Sequence, residues 1–162
     1  MTQKIPEERP ETRTGGKGNM SRFKVTKQIE FCYGHRLLNY DGKCKHLHGH
    51  NGLLEIVVST ESLDSRGMVI DFGDIKDVVK GWVDTNMDHR MILSKDDPIL
   101  NILLDLNEPV YVMDENPTAE NIAKHIHEEA QKAGLEILET RLWETPSSYA
   151  SYSPANADER GG

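Results

Sequence analysis

Alternating apolar and polar residues predict two strands near the start of the periodic sequence. Apolar side chains recur at almost every second position over residues 23–31, which is the period of a strand with one buried face. This strand is predicted to end near His35. After a loop over residues 39–45, the alternation returns over residues 54–58, in a second strand that begins around His48 and can pair with the first as an antiparallel neighbour.

Helical spacing of apolar residues replaces this alternation further along the chain. A short strand over residues 68–70 is predicted to lead into an amphipathic helix over residues 72–85, with Asp71 as its N-cap. Residues 86–115 show no sustained period. The sequence therefore predicts one helix here, followed by an irregular segment.

A second helix is predicted after Asn116 and Pro117, which have the residue types of an N-cap and a first helical position. Its apolar residues recur at helical spacing as far as Gly134, a residue type that commonly ends helices. A closing strand over residues 135–145 follows, and residues 149–152 can extend the sheet further.

This order of two strands, two helices and closing strands favours an α+β fold, in which an antiparallel sheet carries both helices on one face. Residues 1–21 and 153–162 are predicted to be disordered tails, because they combine charges, prolines and glycines with few large aliphatic residues. Met20 is an alternative start of the chain, since the periodic sequence begins three residues later. The folded domain is expected to span residues 22–152.

Composition narrows the classes of function. The 162 residues are expected to form one domain, and 27 acidic against 19 basic residues give a net charge of −8, which argues against a nucleic-acid partner. No apolar run reaches the roughly 18–20 residues of a membrane helix, so no membrane partner is expected. Two cysteines and a start without a signal-peptide pattern favour a reduced, cytoplasmic protein.

Four of the seven histidines lie between residues 35 and 50, which is the most uneven feature of the composition. His48 and His50 stand two residues apart at the start of a strand, so their imidazoles point to the same face and can bind one ion. His35, at the end of the preceding strand, offers a third ligand. Three histidines with one open position are typical of a catalytic zinc site.

A closed structural site built from Cys44, His46, His48 and His50 is the competing interpretation. Strand geometry argues against it, because six residues of strand span about 20 Å, too far for four ligands around one ion. His46 is then expected to be solvated or to support the ligands from outside. Cys44 is either a small buried apolar residue or a reactive thiol.

Two weaker candidates lie later in the chain. The adjacent residues Asp88 and His89 have the makeup of an imidazole oriented by a carboxylate, although neighbouring side chains commonly point apart. Glu144, in the closing strand, is either a functional carboxylate or a solvated side chain on the strand surface. By themselves, these residues leave both interpretations open.

Six blocks of sequence, in order, resemble the motifs of the 6-pyruvoyl-tetrahydropterin synthase family. The resemblance covers about residues 22–152. The blocks are FCYGHRL (31–37), CKHLHGHN (44–51), GMVIDF (67–72), MDH (87–89), NPTAEN (116–121) and WET (143–145). An ordered set of this kind is far more specific than a pair of histidines alone.

The resemblance implies a fold, an assembly and a set of site residues. It implies the T-fold, a four-stranded antiparallel sheet carrying two helices, whose subunits form trimeric barrels that stack head to head as a homohexamer. The family pocket lies at a subunit interface. The implied residues are His35, His48 and His50 as ligands of Zn²⁺, Cys44, Asp88 and His89 as catalytic residues, and Glu144 and Thr118 as contacts of the pterin substrate.

Within the family, the three residues between Cys44 and His48 resemble the bacterial 6-carboxy-5,6,7,8-tetrahydropterin synthase branch. That branch implies a carbon–carbon lyase that acts on 7,8-dihydroneopterin triphosphate and releases acetaldehyde and triphosphate, on the route to queuosine and other 7-deazapurines. The alternatives are 6-pyruvoyl-tetrahydropterin synthase activity, which eliminates triphosphate without cleaving a carbon–carbon bond, and a zinc-binding T-fold module without catalysis.

Two features depart from the family pattern. Gly52 stands where an aromatic residue is usual, and residues 92–110 are longer than in compact members. The first is expected to alter packing near the zinc, and the second to change substrate access.

Overall fold

Two strands of thirteen residues each, β1 (Phe23–His35) and β2 (His48–Thr60), form the centre of the sheet in this computed structural model, which describes residues 22–155. They pair antiparallel along their whole length, so that the last residue of β1, His35, lies opposite the first residue of β2, His48. Both predicted strands and the predicted end of β1 are confirmed.

Four shorter strands complete a sheet in the order β4-β3-β1-β2-β5-β6. They are β3 (Arg90–Ser94), β4 (Val110–Met113), β5 (Glu139–Thr145) and β6 (Ser148–Tyr152). Neighbours among β1, β2, β5 and β6 are antiparallel, and these four strands form the predicted antiparallel sheet. β3 and β4 add two parallel strands at the other edge.

The α+β fold is thus confirmed, whereas the predicted strand count is too low. The described residues form six strands instead of four, because residues 86–115 contribute β3 and β4. These strands have only five and four residues, too few for an alternating pattern to be recognised.

Helical segments pack against this sheet. They are α1 (Phe72–Ile75), a π-helical turn (Lys76–Lys80), α2 (Gly81–Asn86), α3 (Leu100–Asp105) and α4 (Ala119–Lys132). The first three are continuous in sequence and form the first predicted helix. The Asp71 carboxylate accepts a 2.7 Å hydrogen bond from the amide of Gly73, which confirms Asp71 as the N-cap.

One apolar core lies between the sheet and the helical segments. It is built by alternate positions of β1 and β2 and by the inward faces of the first helical segment and of α4. Its fully buried side chains include Leu54, Ile56, Ile75, Val79, Ile122, Ile126 and Leu142.

Three predicted elements differ from the structure, and one of them is the closing strand, β5, which begins at Glu139 instead of near residue 135. Residues 68–70 form no strand. The second long helix begins after Thr118 instead of after Asn116, because the Thr118 hydroxyl accepts a 3.3 Å hydrogen bond from the amide of Asn121 and caps the helix. The predicted end is confirmed, since Gly134 adopts a left-handed conformation with φ of +89° directly after the helix.

Asn116 is not the N-cap of α4, and its side chain instead binds the loop after β1. Its amide oxygen accepts a 2.9 Å hydrogen bond from the backbone N–H of Leu38, and its amide nitrogen donates a 3.0 Å hydrogen bond to the Leu38 carbonyl. These two bonds attach the loop after β1 to the segment before α4. The neighbouring Pro117 carbonyl reaches the end of β1 in the same region.

The predictions for the chain ends lie largely outside the described residues. This applies to the tail over residues 1–21, to the alternative start at Met20 and to residues 156–162, whereas residues 153–155 follow β6 outside any helix or strand. None of the helices between residues 22 and 155 combines the length and the apolar character that a membrane crossing requires.

We expect Asn116→Ala to lower the free energy of unfolding by about 1–3 kcal/mol, because two hydrogen bonds to partly buried backbone groups of Leu38 are lost. Urea denaturation at a fixed protein concentration measures the change. Gln131→Ala, at an exposed position near the end of α4, is the matched control and should stay within about 0.5 kcal/mol of the unmodified protein. An equally small change at Asn116 would contradict the prediction.

Candidate functional site

Three histidines converge where the paired strands β1 and β2 end. His35 lies opposite His48, and His50, two residues further along β2, shares the face of His48. The Nε2 atom of His35 is 3.0 Å from Nε2 of His48 and 3.2 Å from Nε2 of His50. His35 is buried, and the other two are partly exposed. The fold therefore brings together the three histidines that the sequence singles out.

The second nitrogen of each imidazole faces a backbone carbonyl. The distances from Nδ1 to oxygen are 2.7 Å for His35 and Pro117, 2.8 Å for His48 and His46, and 3.2 Å for His50 and Glu144. A carbonyl can only accept, so each Nδ1 carries the hydrogen and each neutral imidazole has its lone pair on Nε2. Three lone pairs then face one another, and a cation among them would replace this repulsion by attraction.

This donor set fits a metal ion. Metal-binding histidines commonly donate their other ring N–H to a carbonyl, and four ligands at roughly 2.0–2.1 Å around zinc stand about 3.3 Å apart, close to the 3.0 and 3.2 Å found here. Burial lowers the pKa of His35, which favours the neutral form that binds a metal. The trio can hold a divalent ion and leave one coordination position open.

His46 and Thr118 contribute to this region without joining the trio. The His46 side chain is exposed, and the residue orients His48 through its backbone carbonyl. The Thr118 hydroxyl caps α4, directly after the Pro117 carbonyl that orients His35. A substrate contact of Thr118 stays a prediction.

Glu144 lies at the end of β5 beside the three histidines. Its Oε1 accepts a 2.9 Å hydrogen bond from the hydroxyl of Tyr33, and it lies 3.6 Å from Nε2 of His35 and 3.9 Å from Nε2 of His50. Sequence reasoning missed Tyr33. The signal that could have indicated it is its place two residues before His35, on the same face of β1.

Asp88 and His89 form a second polar cluster after α2. Nδ1 of His89 lies 2.9 Å from Oδ2 of Asp88, so these adjacent side chains do meet. Oδ1 of Asp88 accepts a 2.8 Å hydrogen bond from the amide of Cys32. Burial by itself raises the pKa of Asp88, but the hydrogen bonds from Cys32 and His89 outweigh it and lower the pKa below its usual value. The pair is a carboxylate that orients an exposed imidazole.

The thiol beside this pair belongs to Cys32, which the sequence analysis did not single out. Its Sγ donates a 3.2 Å hydrogen bond to Oδ1 of Asn51 and lies within 4.8 Å of donor atoms of both Asp88 and His89. Cys44 lies in a 3-10 turn between β1 and β2 and is half-buried. Within residues 22–155 of one chain, Cys44 does not come within that distance of both residues of the pair.

A cavity of about 740 Å³ is bordered by two histidines of the trio and by His89 of the second cluster, whereas His35 and Glu144 do not line it. Its walls include His48, His50, Cys32 and His89, together with the apolar residues Leu103, Leu106 and Pro109. The apolar residues belong to the long segment over residues 92–110. The volume is in the range of small-molecule sites, so the cavity can receive a compact aromatic ligand next to both clusters.

Comparisons with known proteins agree with the sequence motifs. The profile of the 6-pyruvoyl tetrahydropterin synthase family matches residues 24–155. A curated protein from Rickettsia bellii, named 6-carboxy-5,6,7,8-tetrahydropterin synthase, is 41% identical over 134 residues, which cover 78% of this chain and 97% of that protein.

Solved structures share the architecture. The crystal structure of an uncharacterized protein from Wolinella succinogenes is 26% identical, with a TM-score of 0.70 over 82% of this chain and 98% of that one. The 6-pyruvoyl tetrahydropterin synthase of Caenorhabditis elegans is 23% identical, with a TM-score of 0.64 over 84% and 98% of the two chains, and has the same fold. The protein therefore has the T-fold and belongs to the 6-pyruvoyl tetrahydropterin synthase family.

Proposed function

We propose that this protein is a zinc-dependent 6-carboxy-5,6,7,8-tetrahydropterin synthase. It would act as a carbon–carbon lyase that converts 7,8-dihydroneopterin triphosphate to 6-carboxytetrahydropterin, with release of acetaldehyde and triphosphate, on the route to queuosine and other 7-deazapurines. The observation that carries the proposal is the trio of imidazoles with three convergent Nε2 atoms beside the cavity. The name of the Rickettsia bellii relative supports this branch of the family.

His35, His48 and His50 are the residues that would hold the zinc. When bound, the ion supplies a Lewis acid that polarises hydroxyl or carbonyl groups of the substrate side chain. The chain's own contribution is orientation, because three backbone carbonyls keep all three Nε2 atoms free of hydrogen.

Proton transfer would fall to His89 and a cysteine. Because Asp88 lies against Nδ1 of His89, it leaves Nε2 of that imidazole able to accept and return a proton. The His89 side chain is 78% exposed, so a group from outside the chain can approach it. We assign the thiol to Cys44 of a neighbouring subunit, in agreement with the interface pocket of the family. Cys32 of the same chain is the rival candidate, because its Sγ lies within 4.8 Å of donor atoms of Asp88 and His89.

Glu144 would bind the pterin ring. A carboxylate can accept two hydrogen bonds from the amino group and the ring N–H of a pterin, which form a guanidine-like edge. The position of Glu144 beside the trio supports this role, because the ring would then lie next to the three histidines that would hold the zinc.

A homohexamer of two trimers would complete the pocket. In one chain, β4 and β6 are the outer strands of the sheet, and such edges need covering or pairing. The short helix α3 and the residue that follows it also expose Ile102, Leu104 and Leu106. Both features support association with further copies of the chain.

The proposed reaction predicts a specific product. Zinc-loaded protein incubated with 7,8-dihydroneopterin triphosphate should release acetaldehyde, whereas 6-pyruvoyl-tetrahydropterin formation without acetaldehyde would favour the other activity of the family. His48→Ala should lose stoichiometric zinc and acetaldehyde release together, because it removes one of three ligands. His46→Ala is the matched control and should keep both, since only its carbonyl contacts the trio. Full zinc content in His48→Ala would contradict the assignment.

A matched pair of cysteine variants identifies the thiol. Cys44→Ala should lower turnover by roughly 10²–10⁴-fold, the usual contribution of one acid or base group, while zinc content is unchanged. Cys32→Ala should lower turnover by less than about tenfold. The reverse pattern would transfer the role to Cys32, and full turnover in both variants would remove the thiol from the mechanism.

The oligomeric state can be measured directly. Light scattering at micromolar concentration should give six times the chain mass of 18.3 kDa, because the unpaired strand edges and the exposed α3 residues become buried on assembly. A monomer at this concentration would contradict the prediction and would leave Cys44 without a route to His89.

A further inference from the structure

The ring of Tyr33 occupies the space above Gly52. A Cβ atom placed on Gly52 would lie 2.9 Å from Cε1 of Tyr33 and 3.3 Å from both Cε1 of Phe31 and Cδ1 of Leu142. The first distance is too short for two carbon atoms, so a larger residue at position 52 would displace the ring. Glycine at position 52 of β2 therefore leaves the space that the Tyr33 ring of the neighbouring strand β1 occupies.

The Tyr33 ring is held from several sides. It stacks on Phe31 with a centroid distance of 5.1 Å and contacts the imidazoles of His35 and His50 at 5.4 and 5.6 Å. Only 3% of Tyr33 is exposed. Because a buried ring with such neighbours has one orientation, its hydroxyl points in a fixed direction.

That direction is towards Glu144, whose Oε1 accepts the 2.9 Å hydrogen bond from the Tyr33 hydroxyl. A phenolic hydroxyl ordinarily loses its hydrogen only near pH ~10, and an ionised carboxylate can only accept. The hydroxyl therefore keeps its hydrogen at neutral pH and remains a donor to the carboxylate.

The Glu144 carboxylate needs such a restraint because it lies between the histidine trio and solvent. Its Oε1 is within 4 Å of Nε2 of both His35 and His50, and its side chain is 27% exposed. An unrestrained glutamate there would have two competing orientations, towards a cation held by the trio or towards solvent, and neither would present the carboxylate to a planar ring.

We propose that Tyr33 is a positioning residue, whose hydroxyl holds the Glu144 carboxylate in the orientation that receives the pterin ring, and that glycine at position 52 gives the Tyr33 ring the room to do so. This inference rests on the pterin-binding role proposed for Glu144. It adds one residue, Tyr33, that determines how tightly the substrate binds without touching the reacting atoms.

Tyr33→Phe tests the inference, because it keeps the ring and removes only the hydroxyl. In steady-state assays of acetaldehyde release from 7,8-dihydroneopterin triphosphate, KM should rise roughly ten- to hundredfold, the effect of one hydrogen bond to a charged group. kcat should change by less than about threefold, and zinc content should be unchanged. Tyr149→Phe, at a half-exposed tyrosine of β6, is the matched control and should leave KM unaltered.

A double-mutant cycle separates positioning from simple packing. Glu144→Ala should raise KM with zinc intact, and adding Tyr33→Phe to that variant should have no further effect, because the hydroxyl acts only through the carboxylate. Gly52→Ala should raise KM in the same direction, since its added methyl group pushes against the Tyr33 ring. Additive effects of the Tyr33 and Glu144 variants would overturn the inference.

Other outcomes distinguish this inference from the proposed function. A raised KM in Glu144→Ala with an unchanged KM in Tyr33→Phe would overturn the inference alone. An unchanged KM in Glu144→Ala would overturn the pterin-binding role and the inference with it. Loss of zinc from both variants would also overturn it, since the carboxylate would then act on the metal instead of the substrate.

Discussion

The pairing of His35 with His48 sets the geometry on which the rest of the site depends. Thirteen consecutive pairs hold β1 and β2 in one register, and successive residues of a strand point to opposite faces. A slip of one residue would therefore turn His48 and His50 away from His35. The same slip would expose Leu54 and Ile56, which are fully buried. The hydrophobic core thus specifies the register that aligns the imidazoles.

Three backbone carbonyls then decide which nitrogen each imidazole offers. They belong to the loop before β2, to the segment before α4 and to the end of β5, so parts of the chain that are far apart in sequence must dock before all three Nε2 atoms are available. Asn116 secures one of these contacts, because it attaches the segment before α4 to the loop after β1. Metal binding at the trio would in turn stabilise this arrangement, since it favours the state in which the ligands are already ordered.

The proposed chemistry divides between the trio and the cluster of Asp88 and His89, and His48, His50 and His89 line one cavity. One chain supplies an oriented imidazole and a nearby thiol, Cys32, whereas Cys44 lies in a separate turn. If the catalytic thiol is Cys44 of a neighbouring subunit, the active site is complete only after the subunits have assembled. The unpaired edges of the sheet and the open side of His89 then have a common explanation.

The sequence by itself determined the elements whose signal is local. The alternation in β1 and β2, the spacing of His48 and His50, and the ordered motifs were enough to predict the α+β fold, the family and the three-histidine group. It did not reveal β3 and β4, because strands of five and four residues become strands through their partners in the sheet. The sequence placed the N-cap of α4 at Asn116, because asparagine and threonine are both good N-cap residues. In the folded chain the Asn116 side chain binds the backbone of Leu38, and Thr118 caps the helix instead. Tertiary structure alone decided that Tyr33 meets Glu144, 111 residues away, and that Cys32 lies beside Asp88, since contacts between distant residues are set by how the strands pack and leave no period in the sequence.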